Sequence, residues 1–189
     1  MIINKTILLI GGFLFFLLAI NLAYYIPDFL QNQEKTDFNL FKVKKHLHFE
    51  KIVNLTKQDI FLSMANVEDY PKILPNNVRE INIINSTDNV IFAKERVGES
   101  IVEIEFLVKH ELIPFERQTI EILSGDAKGT NITIIFKDVD SGTQISTDVE
   151  MRITGPIAIF VSTLHLVNLH SAMNTLITAF EEYTKNQLQ

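Results

Sequence analysis

The sequence predicts an α+β protein in which an antiparallel β-sheet packs against a long C-terminal helix and a transmembrane helix precedes both. Three observations predict this class. An uncharged apolar run fills residues 7–26, and segments of alternating apolar and polar residues occupy much of 78–152. An apolar stripe at helical spacing then continues almost to the C terminus. Since no β-α-β repeat occurs, a parallel doubly wound sheet is not expected.

The predicted membrane helix is the segment 7–26, ILLIGGFLFFLLAINLAYYI, which contains no charged residue. A helix of this length spans about 30 Å, the thickness of the hydrocarbon core of a bilayer. Tyr24 and Tyr25 stand where interfacial aromatic residues are expected, and Pro27 ends the helix. We therefore expect residues 1–27 to form a retained single-pass anchor that associates the protein with a membrane.

A cleaved signal peptide is the main alternative, because Lys5 places a positive charge ahead of the apolar run. Its one plausible cleavage site, Asn21-Leu22-Ala23, has a polar residue where a small one is preferred. More lysines follow the span than precede it, which favours a cytoplasmic location for the C-terminal domain. Four glycosylation sequons would be used only on the other side of the membrane: Asn4, Asn54, Asn85 and Asn131.

The rest of the chain divides into a polar linker, residues 28–45, and one folded domain, residues 46–189. The segment HLHFEKIVNL, residues 46–55, alternates well enough to predict a first strand. The tetrapeptide that follows it, residues 56–59, is a capping box in its Asp form and predicts the start of a short helix.

The clearest strand pattern follows the turn signal Asp140-Ser141-Gly142. Apolar residues and threonines alternate there with charged and polar residues, and residues 102–108 show the same alternation. One face of such a sheet contacts a core and the other contacts solvent, which is the antiparallel arrangement.

The pattern from Gly155-Pro156 to about Asn186 predicts one uninterrupted helix. When a single helix lies on a curved sheet, space tends to remain between them, and small molecules bind in such apolar concavities. The apolar stripe of this helix consists of Leu166, Leu169, Met173, Leu176, Phe180 and Tyr183.

Two prolines separate the short helix from the next strand in YPKILPNNVREINII, residues 70–84. Together with the capped helix, the strands and the long last helix, this segment resembles the START-related helix-grip (SRPBCC) proteins. The likeness is greatest to their coenzyme Q-binding and polyketide cyclase/dehydrase-like branch. It covers residues 46–186 and is most specific at Asp69-Tyr70-Pro71, Leu74-Pro75 and Val78.

The resemblance implies a helix-grip fold, a curved antiparallel sheet wrapped around the long C-terminal helix. It also implies a cavity for an apolar or amphipathic ligand such as a lipid, a quinone or an aromatic polyketide. Asn76-Asn77 stand where the family often has an aromatic residue, so the resemblance does not specify the ligand. We expect the ligand to contact eight residues: Tyr70, Ile73, Leu74, Phe106, Phe136, Leu166, Leu169 and Met173.

The sequence predicts no cofactor and no metal site. The absence of cysteine excludes disulfides, thiolate metal sites and cysteine nucleophiles. His165 and His170 are five residues apart, whereas helical metal ligands are three or four apart. His46 and His48 are predicted on the protein surface, and His110 is expected to be solvated at the end of a hairpin. A net charge of −6 disfavours nucleic acid as a partner.

Three functions are compatible with these patterns. The first is a membrane-anchored module that binds or transfers a hydrophobic small molecule, with no catalytic residue assigned. The second is a cyclase or dehydratase, which needs an acid or base in the cavity and predicts that at least one of Arg96, Arg117 and Glu121 points into it. The third is an adaptor domain whose pocket has closed.

Overall fold

The structure is a computed structural model that describes residues 42–99, 102–155, 158, 161–162 and 165–189. The predicted anchor, residues 1–27, lies outside the described residues, as does most of the predicted linker. Within the described part of the chain, no helix has the length and apolarity needed to cross a bilayer.

Seven strands and three helices make up the described domain. The strands are β1 (Lys42–Val53), β2 (Val78–Ser86), β3 (Val90–Glu99), β4 (Val102–Ile113), β5 (Arg117–Ile122), β6 (Asn131–Val139) and β7 (Gly142–Thr154). The helices are α1 (Lys57–Ala65), α2 (Tyr70–Ile73) and α3 (Leu166–Gln187), with a 3₁₀ turn at Val67–Asp69.

The strands form one sheet in the order β1-β7-β6-β5-β4-β3-β2, and every neighbouring pair is antiparallel. The inner face of this sheet carries the buried side chains and packs against α1, α2 and α3, while the outer face carries most of the charges. The predicted α+β class, with an antiparallel sheet and a long C-terminal helix, is confirmed.

The first strand begins earlier than predicted. Lys42 pairs with Thr154 and Lys45 with Met151, so the end of the predicted linker 28–45 belongs to β1. Val43 packs against the core, which explains why this segment is held in the sheet although its neighbours are lysines.

The predicted capping box starts α1. The Thr56 hydroxyl oxygen accepts a hydrogen bond from the Asp59 backbone amide at 3.2 Å, and the same hydroxyl donates to the Asp59 carboxylate at 2.6 Å. The helix then buries Ile60, Phe61 and Met64 against the inner face of the sheet.

The two prolines form a stiff elbow, residues 67–77, between α1 and β2. Pro71 lies in the first turn of α2, where its missing amide hydrogen costs nothing, and Leu74 caps the helix. The elbow is joined to α3, because the Tyr183 hydroxyl donates a hydrogen bond to the Asp69 carboxylate at 3.1 Å. The adjacent Lys72 ammonium, with this bond, lowers the pKa of Asp69.

The last helix is shorter than predicted. His165 has an extended backbone (ψ 145°), so α3 begins at Leu166 rather than continuing without a break from Gly155-Pro156. The carbonyl of His165 then accepts a hydrogen bond from the Asn168 amide in the first turn.

Candidate functional site

A cavity of about 50 Å³ lies between the inner face of the sheet and the buried side of α3. The buried sides of β3, β4, β5 and β6 form its floor, α3 covers it, and α1 with the elbow closes one end. It is lined by Met64, Tyr70, Leu74, Val78, Glu95, His110, Ile120, Ile132, Ile134, Met173, Leu176 and Phe180.

A chain of hydrogen bonds joins the polar groups at the cavity wall. The His110 ring, which is fully buried, meets the Glu95 carboxylate with an Nε2–Oε1 distance of 2.7 Å. On its other side, the Gln118 amide nitrogen lies 3.3 Å from His110 Nδ1 and 3.2 Å from the Tyr70 hydroxyl oxygen. Tyr70 in turn donates to the Met64 carbonyl at 2.7 Å.

These contacts define a direction for the chain. The two hydrogens of the Gln118 amide serve the Tyr70 hydroxyl oxygen and His110 Nδ1, so Nδ1 is the acceptor and Nε2 carries the hydrogen that is donated to Glu95. The Gln118 carbonyl oxygen is buried and has no hydrogen-bond partner among the described residues.

Tyr70 connects this polar chain with the apolar wall. Its ring packs edge-on against Phe180 at a centroid distance of 5.4 Å and against His110 at 6.2 Å. Burial raises the pKa of Tyr70, and the nearby negative charge of Glu95 raises it further, so the phenol stays protonated as a hydrogen-bond donor.

Burial of Glu95 costs the folded state free energy. The residue is 2% exposed, and within the described residues His110 is its one basic partner at ion-pair distance. Taking a carboxyl group out of water costs several kcal/mol unless its hydrogen bonds are replaced (on the order of 2–7 for neutral polar groups). A buried carboxyl group of this kind is more typical of a functional site than of a core that serves packing alone.

The structure distributes the eight predicted ligand residues over two environments. Tyr70, Leu74 and Met173 line the cavity, as the resemblance implied, although binding of a ligand by them stays a prediction. The remaining described side chains are buried in the surrounding core instead: Ile73, Phe106, Phe136 and Leu169. Leu166 opens α3, and its side chain is outside the described part.

Neighbouring rings explain why two of these residues are core. A Cβ atom at Gly125 would lie 3.1 Å from the Phe106 ring, so that ring fills the space over the β5–β6 turn. The ring of Phe136 packs edge-on against Phe61 of α1, with centroids 5.3 Å apart.

The prediction that His110 is solvated is wrong. His110 follows Phe106 and Val108 at alternate positions of β4, so it shares their inner face. Glu95 likewise alternates with Ala93 and Val97 on β3. The period of two indicates the inner face for both residues, but the prediction took His110 to end a hairpin, whereas β4 continues to Ile113.

Gln118 could have been found in the same way. It alternates with Ile120 and Ile122 on β5 and is fully buried, while Arg117 is exposed on the other face.

The charged residues proposed for a cyclase or dehydratase do not line this cavity, so that prediction is wrong. Arg96 forms ion pairs with Glu80 and Glu103 on the outer face. Arg117 is exposed, and Glu121 alternates with the inward-facing Ile120 and Ile122. The ionisable side chains that line the cavity are instead Tyr70, Glu95 and His110.

The two histidines of β1 lie on the outer face with Asp148. His48 Nδ1 lies 2.9 Å from the Asp148 carboxylate and His46 Nε2 lies 3.5 Å from it, and both rings are largely exposed. The Asp148 hydrogen bond raises the pKa of His48. Across the described residues, no group of three or more His, Cys, Asp or Glu side chains has a geometry that could hold a metal.

Comparison by sequence finds no relative, since neither a protein-family model nor a curated protein matches the chain. Comparison by structure finds the same fold in solved proteins of low sequence identity. A protein of Thermus thermophilus, TTHA0849, matches with a TM-score of 0.66 and 14% identity, over 77% of this chain and 100% of that one.

Two enzymes share the fold. The Zhui aromatase/cyclase of Streptomyces sp. R1128 matches with a TM-score of 0.64 and 11% identity, over 78% of this chain and 97% of its own. Norcoclaurine synthase of Thalictrum flavum, solved with dopamine and hydroxybenzaldehyde, matches with a TM-score of 0.58 and 16% identity, over 82% and 94%. The described domain therefore has the helix-grip fold that aromatase/cyclases and norcoclaurine synthase share.

Proposed function

We propose that the protein binds or transfers an apolar or amphipathic small molecule between the inner face of the sheet and α3. The observation that carries this proposal is the cavity between sheet and helix, whose wall is apolar apart from Glu95, His110 and the Tyr70 hydroxyl. Apolar concavities with a few convergent polar groups are the usual form of small-molecule sites. The fold supports the proposal because norcoclaurine synthase, which shares it, was solved in complex with dopamine and hydroxybenzaldehyde.

The size of the cavity restricts how such a molecule is held. A volume of about 50 Å³ accommodates a few water molecules, whereas drug-sized ligands occupy about 300–1,000 Å³. A lipid, quinone or polyketide-like ligand therefore requires side chains to move outward. Met64 and Met173 are suited to this, because methionine side chains are unbranched and adopt several rotamers at low cost.

Full-length protein in lipid nanodiscs provides the test. Extraction and mass spectrometry would identify a co-purified ligand, and ¹³C-methyl signals of Met64 and Met173 would report its entry. Ile134→Phe fills the cavity and is expected to weaken binding at least about tenfold, by overpacking the space that the ligand needs. Ile135→Phe adds the same ring to the opposite face of β6 and is the matched control.

The outcomes separate a binding module from an adaptor with a closed pocket. Loss of ligand and of methyl shifts in Ile134→Phe but not in Ile135→Phe supports binding in this cavity. If wild-type protein carries no ligand and no hydrophobic probe moves either methyl signal, the binding proposal fails and the closed-pocket adaptor replaces it.

A second candidate function is acid–base catalysis on a bound carbonyl compound, of the cyclase or dehydratase kind. Its support is the Glu95 carboxylate at the cavity wall, which His110 holds at 2.7 Å, since a positioned carboxylate can act as a general base. Wild-type protein would then exchange the α-protons of acetophenone with D₂O, measured by NMR. Glu95→Gln should slow this exchange about 100-fold or more; equal rates would rule the activity out.

We further propose that residues 1–27 anchor the domain in a membrane, with the domain on the cytoplasmic side. The support is the uncharged run and the lysines that follow it. Replacement of Leu14 and Leu17 by arginine should transfer the protein from the membrane fraction to the supernatant after alkaline carbonate washing. Protease protection in sealed vesicles would then test the side.

A further inference from the structure

We infer that the polar end of the ligand is a hydrogen-bond donor, a hydroxyl or an ammonium group, and that Glu95 recognises it. This inference rests on the proposed binding of a small molecule in the cavity and specifies its chemistry. The juxtaposition that carries it is a buried carboxylate, with one oxygen uncommitted, on the wall of an otherwise apolar space.

The hydrogen bonds at Glu95 leave one acceptor over. Its Oε1 meets His110 Nε2 at 2.7 Å, and among the described residues no group hydrogen-bonds or pairs with its Oε2. Glu95 also lines the cavity, so a molecule inside it can reach this oxygen. An ionised carboxylate offers acceptor sites and no donors.

The other polar groups at the wall are already committed. The Tyr70 hydroxyl donates to the Met64 carbonyl and accepts from Gln118, and both ring nitrogens of His110 are engaged. Among the polar side chains that line the cavity, Glu95 thus carries the oxygen that is left without a partner in the described part of the chain, and this acceptor selects a ligand head that donates.

This arrangement discriminates against an apolar or accepting head. A carbonyl oxygen facing Glu95 would place two acceptors in contact, and an alkyl head would leave the carboxylate oxygen without water or partner. A hydroxyl or ammonium group supplies the missing hydrogen, and the ammonium group also compensates the charge.

The test uses three probes with the same number of heavy atoms: ethylbenzene, benzyl alcohol and benzylamine. Each is titrated into full-length protein in nanodiscs, and its dissociation constant is taken from the methyl shifts of Met64 and Met173, with empty nanodiscs correcting for partition into lipid. The variant is Glu95→Gln. Its carbonyl oxygen can retain the bond to His110, and its amide then presents a donor in place of Oε2.

The matched control is Glu105→Gln, which removes the same charge on the outer face of β4, where Glu105 pairs with Lys94. In wild type and in Glu105→Gln, we expect the same ratio of benzyl alcohol to ethylbenzene affinity. In Glu95→Gln, that ratio should fall by about tenfold or more, the size expected for a hydrogen bond to a carboxylate. The ratio of benzylamine to ethylbenzene affinity decides between a hydroxyl and an ammonium head, because only the binding of an ammonium head also depends on the negative charge of Glu95.

Failure of the inference differs from failure of the proposed function. If ethylbenzene and the donors bind but their affinity ratios are unchanged in Glu95→Gln, the inference is wrong and the binding module stands. If none of the probes moves Met64 or Met173, both are wrong.

A measurement on the wild-type protein covers the case in which Glu95→Gln does not fold. The ¹³C signal of the Glu95 carboxyl carbon should shift with benzyl alcohol or benzylamine and stay in place with ethylbenzene. The same response to all three probes would overturn the inference.

Discussion

The two faces of β3 and β4 carry acid–base pairs of opposite character. On the inner face, Glu95 and His110 lie 2.7 Å apart with side chains 3% and 0% exposed. On the outer face, Lys94 and Glu105 lie 3.2 Å apart with side chains 53% and 49% exposed. The same two strands thus carry one pair that is buried and one that is exposed to solvent.

The difference in burial changes what each pair contributes to the stability of the fold. Exposed ion pairs contribute about 0–1 kcal/mol to stability because water screens them and their side chains lose entropy. A buried pair loses several kcal/mol of hydration for each charge, and well-packed apolar residues often replace it without loss. A contribution to stability is therefore a weak explanation for the inner pair. The binding of a ligand explains its burial better.

Removal of one inner partner should have the largest effect. In His110→Ala, Glu95 stays buried without its basic partner, and Gln118 loses a neighbour. We expect a loss of about 3–5 kcal/mol in the free energy of unfolding, measured by urea denaturation. His48→Ala on the exposed side of β1 is the control and should change stability much less.

Replacement of both inner partners separates their contribution to stability from their contribution to binding. The double variant Glu95→Met with His110→Phe fills a similar volume with apolar groups, so it should be more stable than His110→Ala and close to wild type. It should nevertheless lose the preference for donor ligands. A double variant as unstable as His110→Ala would mean that the pair is retained for the fold itself.

An intermediate case lies between β1 and α3. Lys51 and Glu181 have side chains 17% and 14% exposed, and Glu181 also meets Lys185 at 2.6 Å and the Asn54 amide at 3.3 Å. Although burial acts to raise it, the pKa of Glu181 is lowered overall by these hydrogen bonds and charges. We expect Glu181→Gln to cost about 1–2 kcal/mol at neutral pH.

The pH dependence of this cost has a definite sign. A carboxyl group whose folded-state pKa lies below its ordinary value of 4.5 stabilises the fold above that pH and loses the effect as pH falls through the folded pKa. The stability difference between wild type and Glu181→Gln should therefore be constant near neutrality and shrink below about pH 4.5. A difference that persists in acid would show that the variant acts by packing instead.

Much of this architecture could be predicted from the sequence, because face and period are local properties. Alternation in β7 predicted an antiparallel strand, and the Thr56–Asp59 capping box predicted the start of α1. The cavity was less predictable. Alternation shows which face of the sheet a residue occupies, but it does not show whether other side chains fill the space next to that residue. Phe106 and Tyr70 are both inward, but Phe106 lies against Gly125 while Tyr70 borders open volume.

The polar chain also depends on properties that no single strand reveals. His110 pairs with Ile91 and Glu95 with Phe106, so the two residues are four positions apart along the ladder. Their contact requires the register of two strands and the shape of the inner face, neither of which a pattern within one strand reveals. His110 was expected at the end of a hairpin, whereas β4 continues to Ile113 and keeps the residue inside the sheet.

The outer pair should show the smallest effect and completes the comparison. Lys94→Ala and Glu105→Ala each remove an exposed charge, and we expect either to change the free energy of unfolding by less than about 1 kcal/mol. Because water screens this pair, raising the salt concentration should reduce even that difference, whereas the loss in His110→Ala should be nearly independent of salt. Urea denaturation in low and high salt would measure both. If the outer variants cost as much as His110→Ala, burial is not what distinguishes the two faces.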